Sequence, residues 1–250
     1  MKRKLSSATA FALLIMGLTM LIAPRITNHI GEQKAHSTIE LFKSLKSKAT
    51  SDEPIENEDN CIESGEMFDS VVHVDFDRLY TDSVAYNEKL KNHQTELLVS
   101  EWSYQNPSLD LCDYGITSGV YGYISAPSIG MELPIYLGGN DDNMALGAAH
   151  MTYTSLPIGG KSTNCVLTGH SGYIGRIFFD YVPSLNIGDE ITVENYWETL
   201  TYKVIKKRIL KKDESTDCYI TDGRDLLTLI TCISSGHGDF DRFYLICERK

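Results

Sequence analysis

Cys232 closes the apolar run Leu226-Leu-Thr-Leu-Ile-Thr-Cys232 near the carboxy end. Arg242 opens the next apolar run, and His170 follows Cys165-Val-Leu-Thr-Gly far upstream. A thiolate attacks acyl carbons, an imidazole moves the protons, and a guanidinium holds an oxyanion. Gathered at strand ends, these three side chains would serve thiol acyl transfer. Alternation puts Thr228, Ile230 and Cys232 on one face of their strand and Leu227, Leu229 and Thr231 on the other. If the strands before and after the loop holding Gly236 and Gly238 pair, Cys232 and Arg242 face one cleft, provided the register allows it. Each residue also has a plainer reading. Free cysteines are mostly buried, His170 sits in a glycine-flanked turn, and Arg242 alone is a surface charge. His237, in the loop after Cys232, and His150, in Gly147-Ala-Ala-His150, are rival bases.

The elements that must position them change character along the chain. Residues 5–23 are apolar and uncharged, behind Lys2-Arg-Lys4 and ahead of Pro24-Arg25. That length approaches the roughly 20 residues that cross a bilayer. Ile22-Ala-Pro24 is a poor cleavage site for a signal peptide, so the expectation is an uncleaved anchor with a cytoplasmic tail at 1–4. The catalytic domain then lies outside the cell. Residues 24–74, with the acidic stretch at 52–59, read as a polar stalk with some helix around 38–48. Between Asp75 and Leu98, Phe76, Leu79, Tyr80, Val84, Tyr86 and Leu90 recur at helical spacing. Residues 75–118 therefore form a helical extension. From Gly119 onward, short apolar runs broken by glycine and proline predict strands near 120–124, 133–137, 165–168, 190–194, 199–209, 226–232 and 242–247. The class is mainly β, a barrel or sandwich.

The net charge is −11, and residues 1–30 carry four cations and no acid. The remainder, 19 cations against 34 anions, stands at −15, which disfavours nucleic-acid binding. The six cysteines match no zinc spacing, and a domain of this size needs no disulfide staples, although Cys61 and Cys112 could pair.

Thr228-Leu-Ile-Thr-Cys232 resembles the Thr-Leu-x-Thr-Cys signature of sortases, membrane-anchored cysteine transpeptidases of Gram-positive bacteria. Leu167-Thr-Gly-His170 and Arg242-Phe-Tyr-Leu-Ile are similar to the family's histidine and arginine motifs. Leu133-Pro-Ile-Tyr, the run 147–160 and Asn186-Ile-Gly-Asp189 resemble the pilin-polymerising branch, class C. The likeness spans about 120–248. It implies a closed eight-stranded barrel over 119–250, with Cys232 as nucleophile, His170 as acid–base and Arg242 as oxyanion partner. It also makes His150 structural or peripheral and His237 non-catalytic. Thr231 and Leu229 are candidate substrate contacts.

The implied reaction cleaves a Leu-Pro-x-Thr-Gly-like sorting signal between Thr and Gly. The acyl group passes to a pilin lysine or a peptidoglycan bridge amine, without metal or cofactor. The implied partners are the sorting signals of pilins or surface proteins. The chain departs from class C in three places. Asn106-Pro-Ser108 stands where a lid carries Asp-Pro-aromatic, Ile233-Ser-Ser follows the cysteine, and Asp241 precedes the arginine. The alternatives are a cell-wall-anchoring sortase of another branch and a silent barrel that binds partners.

Overall fold

The computed structural model describes residues 2–49, 74–97, 104–173, 176–211, 216–236 and 238–250. Eight strands close into a barrel in the order β1-β2-β3-β4-β7-β8-β6-β5. They are β1 (Val120–Ala126), β2 (Met131–Leu137), β3 (Ala148–His150), β4 (Thr163–Thr168), β5 (Glu190–Asn195), β6 (Thr199–Leu210), β7 (Asp225–Ser234) and β8 (Phe240–Arg249). The pairs β2/β3 and β4/β7 are parallel and the remaining pairs antiparallel. All seven strands expected from the sequence are present. β3 has only three residues and went unseen, because alternation cannot register over so short a run.

Inward-facing residues fill the barrel: Ile124, Leu133, Ile135, Leu167, Val193, Leu227, Leu229, Leu245 and Cys247 form one cluster with Phe178 and Phe179. The middle of the sheet, β4-β7-β8, is apolar on its outer face as well. Val166, Ile230, Tyr244 and Ile246 cluster there with Leu210, Leu226 and Cys218. A strand covered on both sides reads as a continuous apolar run, which is the texture of Leu226-Leu-Thr-Leu-Ile.

Three helices accompany the barrel: α1 (Lys2–Ala49), α2 (Phe76–Leu97) and the short α3 (Asp141–Met144). α1 runs unbroken through the apolar segment, Pro24 and the first part of the expected stalk. Ala35, Ile39, Phe42 and Leu45 recur at steps of three and four residues and are buried. They dock α1 on the barrel, so residues 35–45 are not the solvated stalk expected. Phe42 packs on Tyr123 and Tyr196, and Lys46 donates to Glu194 Oε1 at 3.1 Å and to Asn195 O at 2.8 Å. The acidic stretch 52–59 lies outside the described residues.

α2 is one helix, capped by Asp75, whose Oδ1 accepts from Arg78 N at 2.9 Å. Its buried stripe is Leu79, Ser83, Asn87, Leu90 and Gln94. Tyr80 and Val84, expected in the apolar face, are exposed. Of the buried polar residues, Asn87 and Gln94 bond to loops of the barrel, and Ser83 Oγ lies 2.8 Å from Tyr121 Oη of β1.

Candidate active site

β7 and β8 pair with Cys232 opposite Arg242. Both side chains therefore leave the sheet on the same side. That side is the outer one, because the neighbouring Thr231 and Phe243 pair and point inward. Arg242 Nη1 donates a hydrogen bond to Cys232 Sγ. Cys232 is partly exposed, whereas Cys165, Cys218 and Cys247 are buried. Burial raises all three of those thiols, Cys218 and Cys247 to about 12, so they stay protonated and inert near neutrality.

β4 brings the histidine. It pairs parallel with β7 through Thr168 opposite Ile230. The contact continues one residue further, since Gly169 N donates to Ile230 O at 3.1 Å and Thr231 Oγ1 donates to Gly169 O at 2.8 Å. Carried on one more step, that register sets His170 beside Cys232. Gly169 is required here: a Cβ would lie 2.8 Å from the Phe179 ring. His170 stacks on Tyr173, with ring centroids 4.9 Å apart and planes at 10°, and meets the edge of Phe178. Tyr173 escaped the sequence reading, since an aromatic three residues after a histidine carries no distinctive signal.

The rival bases separate cleanly. His150 is fully buried; its Nε2 lies 3.0 Å from Ser155 O and its Nδ1 3.3 Å from Ser108 Oγ. A carbonyl only accepts, so Nε2 carries the proton and Nδ1 accepts from the serine. Burial holds the imidazole down at about 4, neutral and structural. His237 and Cys61 lie outside the described residues, and the candidate Cys61–Cys112 bridge with them. Thr231 and Leu229, the expected substrate contacts, point into the barrel. Both are buried, Leu229 within the barrel core and Thr231 bonded to Gly169 O, because odd positions of β7 face inward. On the outer side, Ile230, Tyr244, Val166 and Cys218 form a buried apolar cluster, and its partly exposed edge is made by Tyr104, Met151, Tyr153 and Tyr219. Asn106-Pro-Ser108 packs at the far end of β2: Gln105 O and Asn106 C lie within 3.1 Å of where a Gly138 Cβ would stand.

A partly exposed thiol bonded to a guanidinium, with a histidine at the end of the neighbouring strand, is equipped for attack on a peptide carbonyl and capture of its oxyanion. The family assignment agrees. A model of the sortase domain matches residues 124–250, just over half of the chain. Sortase A of Bacillus anthracis is 28% identical over 157 residues, 62% of this chain and 73% of that protein. Among solved structures, the pilus-related sortase C of group B Streptococcus is 31% identical with a TM-score of 0.60, covering 70% of this chain and 88% of its own. Sortase C of Clostridium perfringens, solved with its C-terminal cell wall sorting motif, is 30% identical with a TM-score of 0.58 over the same shares. The chain belongs to the sortase family of cysteine transpeptidases.

Proposed function

We propose that this chain is a membrane-anchored sortase of the class C type, with Cys232 as nucleophile, His170 as acid–base and Arg242 as oxyanion partner. The observation that carries the reading is the Arg242 guanidinium bonded to the Cys232 sulfur on the outer face of the barrel. The thiolate attacks the Thr carbonyl carbon of a Leu-Pro-x-Thr-Gly-like signal, and Arg242 stabilises the tetrahedral oxyanion. The C–N bond to Gly breaks as His170 protonates the departing amine, which leaves a thioester on Cys232. An incoming amine gives its proton to His170 and attacks the thioester carbon; an amide forms and the thiolate departs. Arg242 offers a planar fork that lysine lacks.

The likeness to a pilus-related sortase C supports a pilin lysine as the acceptor. Among the described residues, one helix is long and apolar enough to cross a membrane. The cations at its amino end support a cytoplasmic amino terminus and an external barrel.

The test incubates full-length enzyme in detergent micelles with sorting peptides and follows intact mass. A thioester adduct is expected with the wild type and none with Cys232→Ala. Arg242→Lys is expected to slow acylation by about 10²–10³-fold, the scale of a lost oxyanion donor. Adduct formation by Cys232→Ala overturns the assignment. A wild type that forms no adduct with any candidate peptide favours a silent binding barrel. Supplying a pilin and a peptidoglycan amine as competing acceptors separates polymerisation, read as covalent ladders, from cell-wall attachment.

A further inference from the structure

Two loops cover the buried apolar cluster on the outer side of β4-β7-β8, next to Cys232. The first follows β3: Met151 N donates to Val166 O at 2.9 Å, and Met151 and Tyr153 pack on the outer cluster. The second, residues 216–224 ahead of β7, crosses over β4. Asn164 Nδ2 donates to Asp217 O at 2.9 Å and to Tyr219 O at 3.1 Å, and Arg208 Nη1 donates to Asp217 Oδ2 at 3.0 Å. Cys218 and Tyr219 of this loop join Ile230 and Tyr244 in the cluster. Ile230 and Tyr244 each stand two positions from Cys232 and Arg242 on their strands, facing the same way.

Ser162 ties the far ends of these loops, donating to Asp222 Oδ1 at 2.8 Å and accepting from Gly223 N at 2.9 Å; beside the apolar cluster they are joined by Gln94. Gln94, 5% exposed near the end of α2, donates through Nε2 to Tyr153 O at 3.0 Å on the first loop and to Cys218 O at 3.3 Å on the second. Its Oε1 accepts from Ile220 N at 2.7 Å, again on the second loop. A glutamine supplies two N–H donors and one carbonyl acceptor, and all are used. Asn87, two turns earlier on the same buried stripe, touches only one loop: its amide bonds Leu156 through both N (2.7 Å) and O (3.3 Å).

We propose that Gln94 is a positioning residue: it sets the separation of the two loops where they meet the apolar cluster, and so the shape of the partly exposed edge (Met151, Tyr153, Tyr219) that they present to the apolar end of the sorting signal. The proposal rests on the transpeptidase reading above for its substrate, and on geometry alone for the brace. Removing the amide leaves two carbonyls and one N–H of the loops without their partners, and such groups are costly when buried. The loops then part or admit water, and the cost of ordering them falls on substrate binding. Cys232, His170 and Arg242 touch neither loop through Gln94, so the chemical step itself is untouched.

Gln94→Leu in the full-length chain is expected to raise the donor-peptide KM of acylation about fivefold, the scale of a lost hydrogen bond, with kcat retained. Discrimination between Leu-Pro and Ala-Pro donor peptides is expected to shrink. Asn87→Leu is expected to lower the melting temperature while leaving KM and that discrimination at wild-type values. Should Gln94→Leu fail to fold, Gln94→Glu keeps the acceptor for Ile220 N, loses both donors and carries the same expectations. Amide hydrogen exchange reads the brace without catalysis. Exchange must rise in both loops, 151–156 and 216–220, in the Gln94 variant, but only in the first loop in Asn87→Leu. Wild-type KM in the Gln94 variants, or matching exchange patterns in the Gln94 and Asn87 variants, overturns the proposal. A wild type without acyl-enzyme sinks the transpeptidase reading instead, and the exchange result still decides the brace.

Discussion

His150 shows how a histidine next to a catalytic strand becomes part of the scaffold. Its Nε2–H is committed to Ser155 O, and burial keeps the ring neutral down to about 4, against an ordinary 6.5. Because the folded value is depressed, the associated stability is fully present above pH 6.5 and is lost as pH falls towards 4, where the unfolded chain binds the proton first. The loss amounts to about 3 kcal/mol at most. Urea unfolding of wild type and His150→Asn across that range is expected to converge at low pH, the wild type having the steeper decline. The cysteines divide on similar grounds. Brief alkylation of the native protein at neutral pH, followed by peptide mapping, is expected to label Cys232 and spare the buried Cys165, Cys218 and Cys247. Labelling of the three buried thiols at the Cys232 rate would contradict their burial. At this scale alternation put Cys232 and Leu229 on opposite faces, as the strand pairing has them, and the pairing of Cys232 with Arg242 needed only the register of two adjacent strands. The choice of Leu229 and Thr231 as substrate contacts ran against that same alternation. Tyr173 and Gln94 were invisible because a lone aromatic or amide acquires meaning only from what the fold brings to it.

Among the elements, β4 and β7 do most to assemble the site, and glycine permits their closeness. Gly169→Ala would drive a methyl into the Phe179 ring at 2.8 Å and shift the strand end that carries His170. Overpacking of this kind costs about 1–3 kcal/mol, so a lowered melting temperature is expected together with a fall in kcat. A kcat equal to wild type would show that Phe179 yields instead. The docked half of α1 is the other revealing element. Phe42 is fully buried between Tyr123 and Tyr196, and Phe42→Ala is expected to cost about 3–5 kcal/mol of stability, measured by denaturant unfolding. Strands longer than five residues were legible from repeated alternation or, in β4 and β7, from an apolar run broken by turn residues. The docking stripe of α1 was not, since four apolar residues among lysines and glutamates look alike whether they meet solvent or a barrel.

Over the whole molecule, the apolar segment and the barrel belong to one continuous helix and the body docked on it, with no loose tether between Pro24 and Ala35. At about 1.5 Å of rise per residue, the twelve steps from Ala23 to Ala35 span about 18 Å. Removing residues 1–27 is expected to leave cleavage of free sorting peptides intact but to slow joining of bilayer-held substrates, because co-location raises effective concentration without adding contacts. Equal rates on vesicle-bound substrate for the full and shortened chains would refute that. With α1 embedded as proposed, the barrel stands on a mast rather than a leash. Its working face keeps one altitude and one tilt relative to the lipid, so a substrate offers its signal productively only when its own linker matches that height.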